Sequence, residues 1–169
     1  MKHSFVTPRL TVRPFKKQDA LQCEAFLSDP EVTKFIGDGN FKFEKTSSEK
    51  MVDWFMASCD SKTGLGTWAI ALNNNGNIIG NCHLSLCEPV GKVEFGIAIA
   101  KTHWRQGYAA EVIPALLDYG HKKLGLGEIV CTVHHENSAT KKGLEKLGYK
   151  FDRNIIHFGI SQELYIKSS

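Results

Sequence analysis

Between Val93 and Val112 the chain reads VEFGIAIAKTHWRQGYAAEV, where a hydrophobic period of two gives way to a helical period across a loop that carries one glycine. Val93, Phe95, Ile97 and Ile99 alternate with Glu94, Gly96 and Ala98, the pattern of a strand with one face in a core. A helix is expected over Ala109 to Leu124, with Val112, Ile113, Leu116, Leu117 and Leu124 on its apolar side, and Pro114 either kinks it or sits near its first turn. A helix N-terminus leaves backbone N–H groups unpaired and carries partial positive charge. Gly107 just before the helix lets an anion approach the backbone, the small Ala109 and Ala110 keep that approach open, and Arg105 adds a charged donor. The junction therefore reads as a phosphate loop, with an ordinary strand-to-helix turn as the alternative.

The flanking sequence limits the architecture around that unit. A short strand holds Leu10 and Val12 and ends at Pro14, and helices follow over Lys17 to Leu27 and from Asp29, with Pro30 at its first position, to Phe35. GDGNFKFEKTSSEK reads as a loop, after which Thr46 or Ser47 caps a helix bearing Met51, Val52, Trp54, Phe55 and Met56. Strands are expected over Thr67 to Leu72 and Ile78 to Leu86, joined by the turn signal NNNGN. GEIVCTVHH is another strand, Ala139 to Leu147 a helix closed by Gly148, and the last strands fall near Ile155 to Ile160 and Glu163 to Lys167. Strand, helices, three strands, helix, strand, helix, strands is the order of one mixed α/β domain spanning residues 1–169.

Composition removes several functions. At 169 residues the chain can bury a full core, and its 42% hydrophobic and 23% charged residues are those of a globular protein. The net charge of +3, with Lys-Lys pairs scattered along the chain, gives no nucleic-acid footprint. Cys23, Cys59, Cys82, Cys87 and Cys131 are odd in number and form no CxxC pair, as expected of reduced thiols in the cytoplasm. The first residues lack a signal-peptide core, and no apolar run is long enough to span a bilayer, so no membrane partner is expected.

Three further stretches bear on chemistry. Glu94 is an unusual residue in an otherwise core-like strand: either an edge or ion-paired carboxylate, or a general base for an amine. Gly96 and Ala98 on its face leave room for something to lie along the backbone. In ENSATKKGLEKLGY (136–149), Asn137 and the following Ser138 and Thr140 make an ordinary helix start. His134 and His135, as neighbours on a strand, should face opposite ways and make a poor ligand pair, so no metal is assigned. Gly64-Leu65-Gly66 precedes a strand and Gly125-Leu126-Gly127 follows a helix, the wrong contexts for a dinucleotide fingerprint. GxSxG and GKS/GKT are absent.

TPRLTVRPF (7–15), DALQCEAFLSDPEVTKF, the stretch 93–120 and ENSATKKGLEKLGY together resemble the GNAT superfamily of N-acetyltransferases, most closely its ribosomal-protein alanine N-acetyltransferase branch. The superfamily's loop pattern is Gln or Arg, two residues, Gly, one residue, then Gly or Ala. Gly107 and Ala109 match it, and Trp104 takes the first position, as in that branch. The resemblance implies a central, mostly antiparallel mixed sheet flanked by helices, with a cofactor-binding core over about 93–149 and acetyl-CoA as co-substrate. It implies that the N–H groups of Arg105, Gln106, Gly107, Tyr108, Ala109 and Ala110 hold the pyrophosphate. The backbone of Ile97, Ala98 and Ile99 would pair with the pantetheine arm, Asn137 would hydrogen-bond it, and an N–H near Ile97 would polarise the thioester carbonyl. Glu94 would be the base and Thr140 the acid, with transfer lacking any dedicated acid as the alternative. Many relatives carry a Tyr where Leu144 stands here. The acceptor would be a primary amine, either a protein N-terminus or a small molecule, and would be shaped by the N-terminal helices, the loop Gly37 to Thr46 and the segment Ser85 to Lys92. A homodimer stays open. The rivals are a catalytically silent module that binds or senses acyl-CoA, and a nucleotide-phosphate binder of unrelated fold. Replacing Gly107 by Val should abolish acetyl-CoA binding in calorimetry, because the branched side chain fills the phosphate approach.

Overall fold

The computed structural model describes residues 4–38 and 47–167. One sheet of eight strands carries everything else: β1 (Phe5–Val6), β2 (Leu10–Pro14), β3 (Gly66–Leu72), β4 (Ile78–Cys87), β5 (Lys92–Ile99), β6 (Ile129–Val133), β7 (Lys150–His157) and β8 (Ile160–Ile166). Their order across the sheet is β1-β2-β3-β4-β5-β6-β8-β7. Every neighbouring pair is antiparallel except β5 and β6. The parallel pair needs a crossover, and α4 (Tyr108–Asp118) supplies it. The helices α1 (Ala20–Leu27), α2 (Pro30–Thr33) and α3 (Ser47–Ser58) precede β3, and α5 (Ser138–Lys146) follows β6.

The alternation in β5 divides two cores. Phe95 and Ile99 face a cluster that includes Val112, Leu116 and Leu117 of α4 and Leu144 of α5, with Val93 and Ile97 packed against it. On the opposite face Ala69, Ala71 and Ile78 meet Cys23, Phe26 and Leu27 of α1 and Val52 and Phe55 of α3. Arg13 ties the second layer down through a two-pronged ion pair to the buried Asp19, at 2.8 and 3.0 Å. No helix among the described residues is long and apolar enough to cross a membrane.

Several boundaries differ from the sequence reading, each for a local reason. Lys17 to Asp19 form a 3₁₀ turn ahead of α1. The expected cap at Thr46 and most of the loop Gly37 to Thr46 lie outside the described residues. The helix expected from Ala109 to Leu124 is α-helical only to Asp118 and closes through a π turn over Tyr119–Lys123. That turn brings Gly120 so near β6 that a Cβ there would sit 2.6 Å from Cδ1 of Ile129. The last hairpin turns at Phe158-Gly159, both with positive φ (52° and 76°), so β7 ends and β8 begins where one strand was expected. His134 and His135 lie past the end of β6 and do not face opposite ways: their rings stack at 4.4 Å.

Leu116 is fully buried between α4 and the sheet. Leu116→Ala should cost about 3 kcal/mol, read as a lower urea midpoint at unchanged slope.

Candidate functional site

β5 and β6 pair only at Val93↔Ile129 and Glu94↔Val130 and then part. The Ala100 N–H bonds to the Ile79 carbonyl, which sets the alternation of the β4–β5 ladder. Glu94, Gly96 and Ala98 therefore point their amides at β4, while Phe95, Ile97 and Ile99 point theirs into the gap. The sequence reading put Ile97, Ala98 and Ile99 together along this edge. The register leaves Ile97 open there, gives Ala98 to β4, and finds the Ile99 carbonyl already accepting the Trp104 indole N–H at 2.6 Å.

Trp104 thus fastens the loop to the end of β5. Two residues of that loop adopt left-handed backbone, Arg105 (φ 60°) and Gly107 (φ 81°). For Arg105 this conformation costs about 1 kcal/mol or more, which the surrounding contacts must offset. Gly107 is the N-cap of α4 and has no capping side chain on it. The nearest atom to a Cβ placed there is an Arg9 guanidinium nitrogen at 3.4 Å. Gln106 is used structurally: its side chain donates to the Thr102 carbonyl and its own carbonyl accepts from Arg9, both at 3.0 Å. What remains for an anion is the row of N–H groups leading through Tyr108, Ala109 and Ala110 into the helix, with the exposed Arg105 beside it.

Arg9 is a residue bracing this loop that the sequence did not single out. Its side chain donates to Glu111 at 2.7 Å and stacks over the Tyr108 ring at 4.4 Å. Thr7 and the Arg9 N–H bind the other Glu111 oxygen, at 2.6 and 2.8 Å. Burial pushes the Glu111 carboxyl up, but these hydrogen bonds and the Arg9 charge outweigh it and hold the group below its usual range. Contacts over a hundred residues apart leave no trace in local periodicity.

Glu94 sits at the closed end of the gap, 5% exposed. The Thr132 hydroxyl donates to one carboxylate oxygen at 2.8 Å, and Nε2 of His157 lies 3.0 Å from the other. Glu94 is thus neither at a sheet edge nor without partners. His157 belongs to β7, three strands from β5, which in a flat sheet would be about 14 Å away. The β7–β8 hairpin therefore curls over this face, helped by the irregularity between Phe151 and Arg153. Cys87, Glu94 and His157 bring ligand atoms within 4.8 Å of one another, a set able to hold a metal that the sequence analysis did not foresee. Hydrogen bonding already satisfies the carboxylate. The space expected along Gly96 is filled: a Cβ there would lie 2.2 Å from Cε1 of His83, whose ring covers the glycine.

Asn137 caps α5, its side-chain oxygen accepting from the Thr140 N–H at 3.2 Å, so both residues stand at the helix start beyond β6. Leu144 is buried in the core. Across the mouth, Phe35 packs on His134 and Gln162 donates to the Gly37 carbonyl at 3.2 Å.

The site is thus a sheet opened between two parallel strands, with a glycine-capped helix at the opening and a buried carboxylate at its base. The model of the acetyltransferase (GNAT) domain matches residues 9–150, and the chain belongs to that family of acetyltransferases. It is 34% identical over 146 residues to the uncharacterized N-acetyltransferase YoaA of Bacillus subtilis, covering 85% of this chain and 81% of that protein. An acetyltransferase of the GNAT family from Bacillus anthracis has the same fold, with a TM-score of 0.81 at 22% identity over 97% of this chain and 96% of that one. So does RimL, a ribosomal L7/L12 α-N-protein acetyltransferase, with a TM-score of 0.80 at 12% identity over 99% of this chain and 94% of that one.

Glu111→Gln should lower stability by about 1 kcal/mol at neutral pH in urea titrations. A carboxyl held below its usual range stabilises above its unfolded pKa, so the difference from wild type should shrink as the pH falls through the depressed value.

Proposed function

We propose that the chain transfers the acetyl group of acetyl-CoA to a primary amine by direct attack on the thioester. The observation that carries this reading is the parting of β5 from β6 beside a helix capped by left-handed Gly107, with Glu94 beneath. A pantetheine-like arm can add to the free edge of β5 through the Ile97 N–H and carbonyl. The N–H groups from Arg105 to Ala110 suit a pyrophosphate, and Arg9 adds positive charge at its edge. Asn137 keeps an amide N–H₂ for the arm while its oxygen caps α5.

An amine must lose a proton, attack the carbonyl carbon and expel the thiolate. The Ile97 N–H polarises the carbonyl, and Glu94 supplies the negative charge that draws the amine's proton, directly or through a carrier. Thr140, at the start of α5, would protonate the leaving thiolate, with solvent as the alternative. The acceptor is a protein N-terminus or a small-molecule amine. The whole chain acts as one domain, its cofactor core over about 93–149, in the cytoplasm. A silent sensing module has no use for a buried carboxylate held by both Thr132 and His157, which favours catalysis.

Calorimetry with acetyl-CoA, coenzyme A and ATP tests the binding half. Micromolar acetyl-CoA binding with much weaker ATP binding is expected, and equal competition by ATP would sink the reading. Glu94→Gln should retain acetyl-CoA affinity and slow turnover by about 100-fold, measured as thiol release with an amine panel. An unchanged rate at neutral pH would remove Glu94 from the chemistry.

A further inference from the structure

Glu94 brings negative charge to the acceptor face but offers no unshared oxygen: Thr132 holds one, His157 the other, and the residue is almost wholly enclosed. A base has to come within hydrogen-bond reach of the amine. His83 offers a second group on that face. It pairs with Gly96 across the β4–β5 ladder and so shares the face of Glu94. Its ring lies on Gly96 itself, with Nε2 2.7 Å from where a Cβ would be. Ile97, whose N–H opens into the gap, is the next residue along the strand. Glu94 lies two residues the other way, about 7 Å further toward the closed end.

The His83 nitrogens are also unoccupied. Among the described residues neither makes a hydrogen bond, and no buried side-chain nitrogen or oxygen there lacks a partner, so the ring nitrogens reach solvent. Burial pushes the His83 pKa down, and the facing Glu94 carboxylate on β5 pulls it partly back. Near that carboxylate stand His157 on β7 and the thiols of Cys87 on β4 and Cys131 on β6, both kept protonated by burial and by the Glu94 charge. With its pKa held below the ordinary value, the imidazole keeps a free lone pair on one ring nitrogen.

We infer that His83 is the catalytic base that takes the proton from the acceptor amine, with Glu94 stabilising the imidazolium that forms. This rests on the acetyltransfer reading above. As the amine nitrogen bonds to the thioester carbon, its proton passes to the free His83 nitrogen. The C–S bond breaks and its electron pair leaves on the coenzyme A sulfur as a thiolate. That thiolate takes a proton from solvent while the imidazolium returns one, leaving an amide and a free thiol. Gly96 is small in this account so that the ring can stand over the strand.

The test is kcat/KM against pH, between about pH 5 and pH 9, for wild type, His83→Gln, His83→Asn and Glu94→Gln, with acetyl-CoA affinity measured for each. Wild type should lose activity on the acid side with an apparent pKa below that of free histidine. Both His83 variants should bind acetyl-CoA as wild type does, lose about 100-fold or more in kcat, and lose the acid limb. Glu94→Gln should keep a limb but shift it to lower pH, because the charge that raises the His83 pKa is gone. A His83→Gln enzyme within about threefold of wild type with the same limb overturns the assignment, as does a limb erased only by Glu94→Gln. An imidazole that NMR titration finds protonated above pH 7 overturns it without any substrate. If wild type binds no acetyl-CoA and acetylates no amine, the transferase reading fails first and His83 falls with it.

Discussion

The parallel contact between β5 and β6 lasts two residues, and the site depends on that brevity. A backbone edge left unpaired inside a protein must find hydrogen bonds elsewhere or present them to a ligand. Beyond Glu94 the Ile99 carbonyl finds the Trp104 indole, while Ile97 keeps its groups directed into the gap. The same divergence places the start of α4 at the gap's mouth and lets the hairpin β7–β8 swing over its floor. Open edge, glycine-capped loop and buried carboxylate are thus consequences of one interruption in a sheet.

The loop is held from outside. Arg105 in left-handed backbone and a glycine N-cap would be a soft structure alone. Thr7, Arg9 and Glu111 cross-link the strand β2 region to the first turn of α4, and the Arg9 guanidinium both neutralises Glu111 and pins the Gln106 carbonyl. The charge is therefore spent partly on rigidity, so the amides lose little further freedom when they meet an anion.

The acceptor face follows a different economy. Its carboxylate is buried and fully hydrogen-bonded, which fixes its position and keeps its field strong in a poorly solvated setting. His83 and His134, the latter against Phe35, are less enclosed than Glu94. One group supplies the field and another the accessible lone pair, a division that a single carboxylate at the surface could not achieve.

Strand and helix periods, the Gly107 turn and the NNNGN hairpin were readable locally, because alternation, caps and turn residues act within a few positions. From them came the mixed α/β order, the expectation of a phosphate loop, and Glu94 as a residue out of place in a core strand. Local pattern misjudged the Gly96–Ala98 face, since a glycine records that space is needed and not which side chain will fill it. It also misread His134 and His135 by carrying the strand past Val133. Arg9 against Glu111, His157 against Glu94 and His83 over Gly96 join elements from distant parts of the chain or from neighbouring strands whose register no local rule sets. Local chemistry thus sets the elements and the groups they carry. Which of those groups meet follows from strand parting and hairpin curl, which are settled by packing across the whole sheet.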